Sequence, residues 1–403
     1  MRVVAPERRE ADTPAVERIA PDAWQGIPDW DETVAAAAAP SIFLTRDWAS
    51  AWWASFGAGL EPCLLRVEHH DGRTAGLGLF YLDRLRGSPL TRLGMIGDRV
   101  VGSEYLGLVA RRGSEERVAG AVAAWLSAAA RWDVADLGGL RPGDPAADAL
   151  ERSLSARARR SHADEHPCAT VALPGDFEEY LGGLNSKFRQ RYRQRTNKLL
   201  RSCEVRFFLS ERESDLPAHL DTLFRLHQAR WVEAGRPGVF ADARMRAFYR
   251  DVATRLLRNG RLRFWQLEAD GAIRACQFGF AYDGVLHSLQ EAYDSDFAPP
   301  GVGGLGVVLR GHAIRAAIEE GLRAYDFLGG VEDHKLRWGA SVHQVRHVRI
   351  GSRGTRGALG WLASSGPEAA REWVKGALPD RVLEKLKAAR ADLHRRRGRR
   401  EWR

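Results

Sequence analysis

The stretch that decides the fold runs from Leu286 to Trp338 and reads LHSLQEAYDSDFAPPGVGGLGVVLRGHAIRAAIEEGLRAYDFLGGVEDHKLRW. Leu286–Tyr293 follows the Asp283-Gly284 turn and reads as a strand. The next segment, DSDFAPPGVGG, is too rich in proline and glycine to be anything but a loop. Leu305–Glu320 has helical length and is apolar on most sides, and Gly321 stops it. Arg323–Leu328 (RAYDFL) is a short strand, after which a charged loop leads to Lys335 and Trp338. Strand, glycine loop, helix, strand is the order that a nucleotide-tailed cofactor needs. Glycine lets backbone approach a pyrophosphate, and the helix start offers unpaired N–H groups at its positive end.

Outward from this stretch the same order appears twice. Upstream, Leu262–Glu268 and Ala272–Tyr282 form a hairpin about Asp270-Gly271. Before it lie helices at Phe177–Leu184, Ser186–Arg201, Leu216–Glu233 and Asp242–Asn259, with a strand at Glu204–Leu209. Downstream, Val342–Ile350 closes the sheet. The first half has a helix at Asp47–Trp53 and strands at Leu64–Glu68 and Arg73–Leu82 about Asp71-Gly72. A strand at Glu104–Val109, a helix at Ser114–Arg131 and a strand at Val134–Leu137 follow. WDVADLGGL (Trp132–Leu140) mirrors LRAYDFLGGV (Leu322–Val331), each after a helix of similar length. The inference is a tandem duplication of one α/β unit, each a mixed sheet flanked by helices. In chain order this gives a loosely ordered leader (1–39), a first domain (40–175), a second (176–352) and a basic helical tail (353–403). The first copy has LVARRGS in place of the glycine loop and RPGDP in place of the lysine. It reads as a scaffold, and the second copy carries the chemistry.

Composition excludes several classes. With 403 residues and 44% hydrophobic content the chain has ample material for packed cores. No apolar run approaches the ~20 residues of a membrane helix. The start, MRVVAPERREADTPAVERIAPDAW, lacks an apolar signal core, so a cytoplasmic protein is expected. Cys63, Cys168, Cys203 and Cys276 are far apart, which argues against a disulfide framework and a zinc cluster. His343 and His347 share a strand face but stand two pleats apart with no Cys or carboxylate beside them, so no metal is expected. A net charge of +9 favours an anionic partner: phosphate groups, RNA or acidic lipid.

From Ser186 to Ile350 the chain resembles the GNAT-superfamily acyltransferases grouped with CelD-like proteins and related to the FemAB peptidyltransferases. The match is carried by KFRQRYRQRTNKL, HQARW (His227–Trp231), FADARMRAFYRDVA (Phe240–Ala253), the hairpin, PPGVGGLGVVL and YDFLGGVEDHKLRW. The family has tyrosine before the late lysine, where this sequence has His334. The resemblance implies a tandem GNAT fold and an acyl-CoA donor such as acetyl-CoA, with aminoacyl-tRNA as the alternative of the Fem branch. It also implies an amino or hydroxyl acceptor, nucleotide- or lipid-linked sugars among them, in envelope or exopolysaccharide biosynthesis. A GNAT fold that only binds, without catalysis, is a further alternative.

Candidate residues follow. Lys335 can steady negative charge on a reacting carbonyl. Glu291 can deprotonate an acceptor and Tyr293 can protonate a leaving thiolate, the two sharing one face of a regular strand, with Asp326 at the end of the next strand. Gln290, Gly301, Gly303, Gly304, Leu305 and Gly306 form the donor-binding set. His227, Arg230 and Trp231 share a helix face as an acceptor site, joined by His334 and Trp338. Seven cations between Lys187 and Arg201, Arg191 and Arg195 among them, offer a phosphate platform, although spacing by two spreads them around the helix. The same residue types also serve as plain sheet, packing and surface residues, and the sequence leaves that choice open. The tail to HRRRGRREWR, with Trp361 and Trp373, suggests either a solvated helix or contact with an anionic membrane.

Overall fold

Asp270 and Gly271 both take positive φ, at 49° and 74°, which is what a two-residue hairpin of the expected hand requires. The computed structural model describes residues 14–364 apart from 86, 99, 100, 159, 234 and 298–302. In the first half it places β1 (Val16–Ile19), α1 (Trp30–Ala35), α2 (Arg46–Phe56), β2 (Glu61–Glu68), β3 (Thr74–Arg84), β4 (Thr91–Met95) and β5 (Leu108–Ala110). Then come α3 (Glu115–Ala128), β6 (Val134–Leu140), α4 (Pro145–Ser155) and β7 (Arg160–Ala172). The second half has α5 (Phe177–Gly183), α6 (Ser186–Ser202), β8 (Val205–Leu209), α7 (Leu216–Glu233), α8 (Ala243–Arg258), β9 (Leu262–Ala269), β10 (Ala272–Tyr282) and β11 (Val285–Tyr293). It ends with α9 (Leu305–Glu319), β12 (Ala324–Gly329), α10 (Asp333–Leu336), β13 (Ser341–Gly351) and α11 (Thr355–Ser364).

All the described strands join one mixed sheet in the order β1-β2-β3-β4-β6-β13-β7-β12-β11-β10-β9-β8, with β5 on β3. The order reads nearly the same from either end. Each half contributes an antiparallel run, then a parallel pair: β4 with β6, and β11 with β12. The duplication inferred from the two Asp-Gly hairpins is therefore present in the topology.

The centre of the sheet was not legible from the sequence. β13 does not close the sheet but lies between β6 and β7, while β7 lies between β13 and β12. Each half thus gives its last strand to the middle, and domains drawn in chain order cut across hydrogen-bonded neighbours. β7 went unread because RSHADEHPCATVA has Pro167 inside it and no apolar alternation. The leader expectation is also corrected: β1 pairs with β2, and Trp24 and Trp30 are buried. Trp30 Nε1 donates to the Leu44 carbonyl at 2.9 Å, so the chain is ordered well before residue 40. At the other end Trp361 is buried against the sheet rather than offered to a membrane. Trp373 and the rest of the tail lie outside the described residues.

One apolar core spans both halves. Trp48 of α2 packs edge-on against Phe248 of α8 at 5.1 Å and Phe280 of β10 at 5.5 Å. On the other face α5, α6 and α9 cover β12, with Tyr192 of α6 seated on Gly311 of α9. A Cβ at Gly311 would fall 2.2 Å from the Tyr192 ring, so glycine fixes how closely these helices pack.

A composite cleft as candidate active site

The site exists because β11 and β12 part company. Their parallel pairing covers only Val285–His287 against Ala324–Asp326. Beyond it the strands diverge, leaving the β12-facing edge of residues 288–293 without its ladder partner. The opening is a cleft of about 790 Å³. Of the residues picked out in the sequence, Gln290, Glu291, Tyr293, Gly304, Gly306, His227, Arg230, Trp231, His334 and Lys335 line it. Past the register shift opposite Phe278 and Gly279 the expected pleat holds: Glu291 and Tyr293 share the α9 face, toward Arg310 and Gly306, while Gln290 lies on the other face toward Tyr249 and still borders the cleft.

Glu291 is already committed. Arg310 of α9 makes a two-pronged ion pair with it, one contact being Nε to Oε1 at 2.9 Å, and Ser288 Oγ adds a contact at 3.4 Å. Tyr293 lies over Gly306, whose missing side chain admits the ring, and the Arg230 guanidinium stands 5.2 Å from the ring centre. Trp231 Nε1 donates to His227 Nε2 at 2.9 Å. Burial lowers the His227 pKa to about 4, so this imidazole is neutral and Nδ1 carries its proton.

The α9 start has the features of an anion cradle. Gly304 caps the helix at φ 78°, and a Cβ there would lie 2.9 Å from Arg195 Nη1. The first N–H groups of a helix lack partners within it, which leaves Leu305 and Gly306 to present theirs. Leu305 can take part only through its backbone, since its side chain is buried in the core. Gly303 faces open space and does not line the cleft. Gly301 lies outside the described residues.

Arg191 and Arg195 line an adjoining cleft of about 530 Å³, which meets the first at Val307 and His334. At about 100° per residue, Lys187, Arg191, Arg195, Lys198 and Arg201 fall within an arc of ~120° on α6. The expected scatter of the seven cations thus holds for two of them. Arg189 binds the carbonyls of Leu181 and Gly182, Arg193 pairs with Glu178, and the remaining five share one face. Trp338 is not a ligand-contacting residue. It is fully buried between Phe188 and Tyr192, and its carbonyl accepts from Tyr180 Oη at 2.7 Å.

Lys335 stands at the cleft edge with its ammonium held. Nζ donates to the carbonyls of Phe327, Gly329 and Gly330 at 3.3, 2.5 and 3.2 Å, and Glu332 is 3.3 Å away. Asp326 lies beneath the cleft floor rather than in the lining, and is buried. Burial alone would raise its carboxyl, but the His287 imidazole at 3.4 Å and bonds from Tyr105 and the Leu328 N–H hold it below the usual range.

Two lining residues come from the half that was read as scaffold: Gly102 and Glu104. They belong to GSEYLG (102–107), where the sequence signal was an acid and a phenol between glycines. The expected strand at Glu104–Val109 forms only from Leu108, and the residues before it enter the second half's cleft. Glu104 Oε2 lies 2.8 Å from His166 Nε2. Burial raises the Glu104 carboxyl, against the opposing pull of His166 and Lys335. Glu104, His166 and Cys168 bring oxygen, nitrogen and sulfur within 4.8 Å of one another. Lys335 supplies positive charge to Glu104 and Cys168, and burial raises the Cys168 thiol. His343 and His347 are held apart, the first 3.0 Å from Tyr105 Oη and the second 2.6 Å from Asp136 Oδ1.

Comparison with known proteins agrees with this geometry. Residues 186–336 match the acetyltransferase (GNAT) domain family. The crystal structure of FemX superposes with a TM-score of 0.60 at 12% identity, over 83% of this chain and 96% of that one. A conserved protein of unknown function from Bacteroides thetaiotaomicron VPI-5482 gives a TM-score of 0.54 at 12% identity, over 84% and 100% of the two chains. No curated protein matches the sequence. Residues 186–336 are therefore a GNAT acetyltransferase domain, and the chain that carries it shares the fold of FemX along most of its length.

Proposed function

We propose that the protein transfers an acyl group from a coenzyme A thioester, such as acetyl-CoA, to an amino or hydroxyl group of a sugar or amino acceptor. The observation that carries this reading is the parted β11–β12 pair, opening beside a left-handed glycine at the start of α9. The cleft residues fit such a donor: Gly304 leaves the space a Cβ would fill, and Arg195 reaches the same turn. In this reading Leu305 and Gly306 offer backbone N–H groups to the pyrophosphate, and Arg195 its charge. His227, Arg230 and Trp231 form the acceptor wall. Glu104, which among the described residues has no guanidinium locked to it as Glu291 has, takes the acceptor's proton as the acyl bond forms, and Tyr293 gives one to the departing thiolate. Lys335 steadies the carbonyl oxygen, one of its two longer carbonyl contacts turning to the charge as it develops. The resemblance extends the reading to cell-envelope or exopolysaccharide building blocks and to action in the cytoplasm. Among the described residues no helix is long and apolar enough to cross a membrane.

A second reading, transfer from aminoacyl-tRNA, is favoured by the single basic face of α6 beside the cleft. Thermal shift separates the two donors. Acetyl-CoA at 100 times its Kd should stabilise the protein by about 2.7 kcal/mol, with tRNA at the same concentration giving less. No shift with acetyl-CoA and a clear one with tRNA would reverse the choice. Lys335→Ala should lower kcat by about 10²–10³-fold with donor affinity near normal. A folded variant with wild-type kcat would remove Lys335 from the mechanism.

A further inference from the structure

The first half fills its own cleft and reaches into the other through one segment. Leu106 bridges to Leu140 where the first half's parallel strands part, the place at which the second half opens its cleft. Next to it, Tyr105 takes φ 54°, a left-handed conformation that a non-glycine residue keeps only when its surroundings hold it. The Arg141 guanidinium lies 4.1 Å from the ring centre and His343 stacks on the ring at 5.9 Å. Tyr105 Oη donates to Asp326 Oδ2 at 2.7 Å.

The other oxygen of Asp326 accepts the Leu328 N–H at 2.8 Å. Leu328 is itself left-handed, at φ 58°. In a regular strand successive carbonyls point to opposite sides, so the carbonyls of Gly329 and Gly330 could not both face one ammonium. The kink at Leu328 turns them, together with that of Phe327, onto Lys335 Nζ. A continuous set of contacts therefore runs from the first half to the cleft lysine.

We propose that Tyr105 is a positioning residue: through Asp326 and the Leu328 kink, the first half sets where the Lys335 ammonium stands. The proposal rests on the role given to Lys335 above and adds that docking of the two halves assembles it.

Tyr105→Phe removes only the hydroxyl and keeps the ring stacked. In that variant hydrogen exchange at the Leu328 amide should rise by about tenfold or more, and the side-chain ammonium signal of Lys335 in 15N-lysine-labelled protein should shift or vanish. Thiol release from acetyl-CoA with glucosamine as probe acceptor should show kcat down about tenfold with the acetyl-CoA KM unchanged. In a Lys335→Met background, Tyr105→Phe should cost nothing further, because two residues acting in series are not additive. Unchanged Leu328 exchange and an unmoved Lys335 signal overturn the proposal, as does an equal loss of kcat in both backgrounds. If the wild-type protein releases no thiol from acetyl-CoA, the donor reading fails instead, and the exchange and ammonium measurements still decide the role of Tyr105.

Discussion

At the scale of single residues, the two cleft carboxylates have opposite standing. Glu291 faces a buried guanidinium, whereas Glu104 has a histidine at its side and a carboxyl raised by burial. A base works only when deprotonated, so kcat/KM should fall as pH drops through the raised Glu104 pKa, above the ~4.3 of a free glutamate. Glu104→Gln should abolish that limb and lower kcat/KM by about 10²–10⁴-fold. Glu291→Gln should instead leave Arg310 buried without its partner, costing about 3–5 kcal/mol of stability while the limb stays in place. A pH–rate profile and a denaturation curve on both variants check this; a lost limb in Glu291→Gln alone would exchange the roles. Glu291 was legible in the sequence because it lies in the deciding strand. Glu104 was not, since nothing local ties a loop at residue 104 to a strand at 329.

At the scale of elements, the middle of α6, at Arg195, meets the start of α9 at one glycine turn. Gly304→Val should raise the CoA Kd about tenfold or more, since a side chain there is strained and meets Arg195. Gly303→Val should leave binding close to normal, because nothing stands within 4 Å of a Cβ there. Equal losses at both positions would move the pyrophosphate away from this turn. Reversing Arg191 and Arg195 to Glu should raise the donor KM about tenfold and flatten its salt dependence. An unchanged slope in a salt titration would make the α6 face a solvated surface. Helix α6 was read correctly as an element. Its basic face is hard to see in the sequence because the cations two apart, which lie on different sides, are interleaved with those three and four apart, which align.

At the scale of the whole molecule, strand exchange makes the halves one folding unit. β13 is hydrogen-bonded to β6 on one edge and β7 on the other, and a shared aromatic core joins α2 to α8 and β10. Calorimetry should therefore give a single unfolding transition. Two resolved transitions would mean that the halves unfold independently. A chain ending at residue 340 lacks the strand at the sheet's centre and should show no cooperative transition, as both β6 and β7 would carry unpaired edges.

What the sequence determined by itself was local or repeated: helices set by apolar periodicity, hairpins set by Asp-Gly pairs, a duplicated order, and a glycine turn before a helix. These depend on residues near one another in the chain, and the lining of the cleft by β11, α9 and Lys335 follows from them. Only the tertiary structure decided that β7 and β13 trade places at the centre and that Trp338 is core. It also decided that Asp326 supports the floor from below and that GSEYLG completes the other half's site. These outcomes come from contacts between segments more than 140 residues apart. Mutual burial and hydrogen-bond satisfaction choose such pairs, and no periodicity along the chain records the choice.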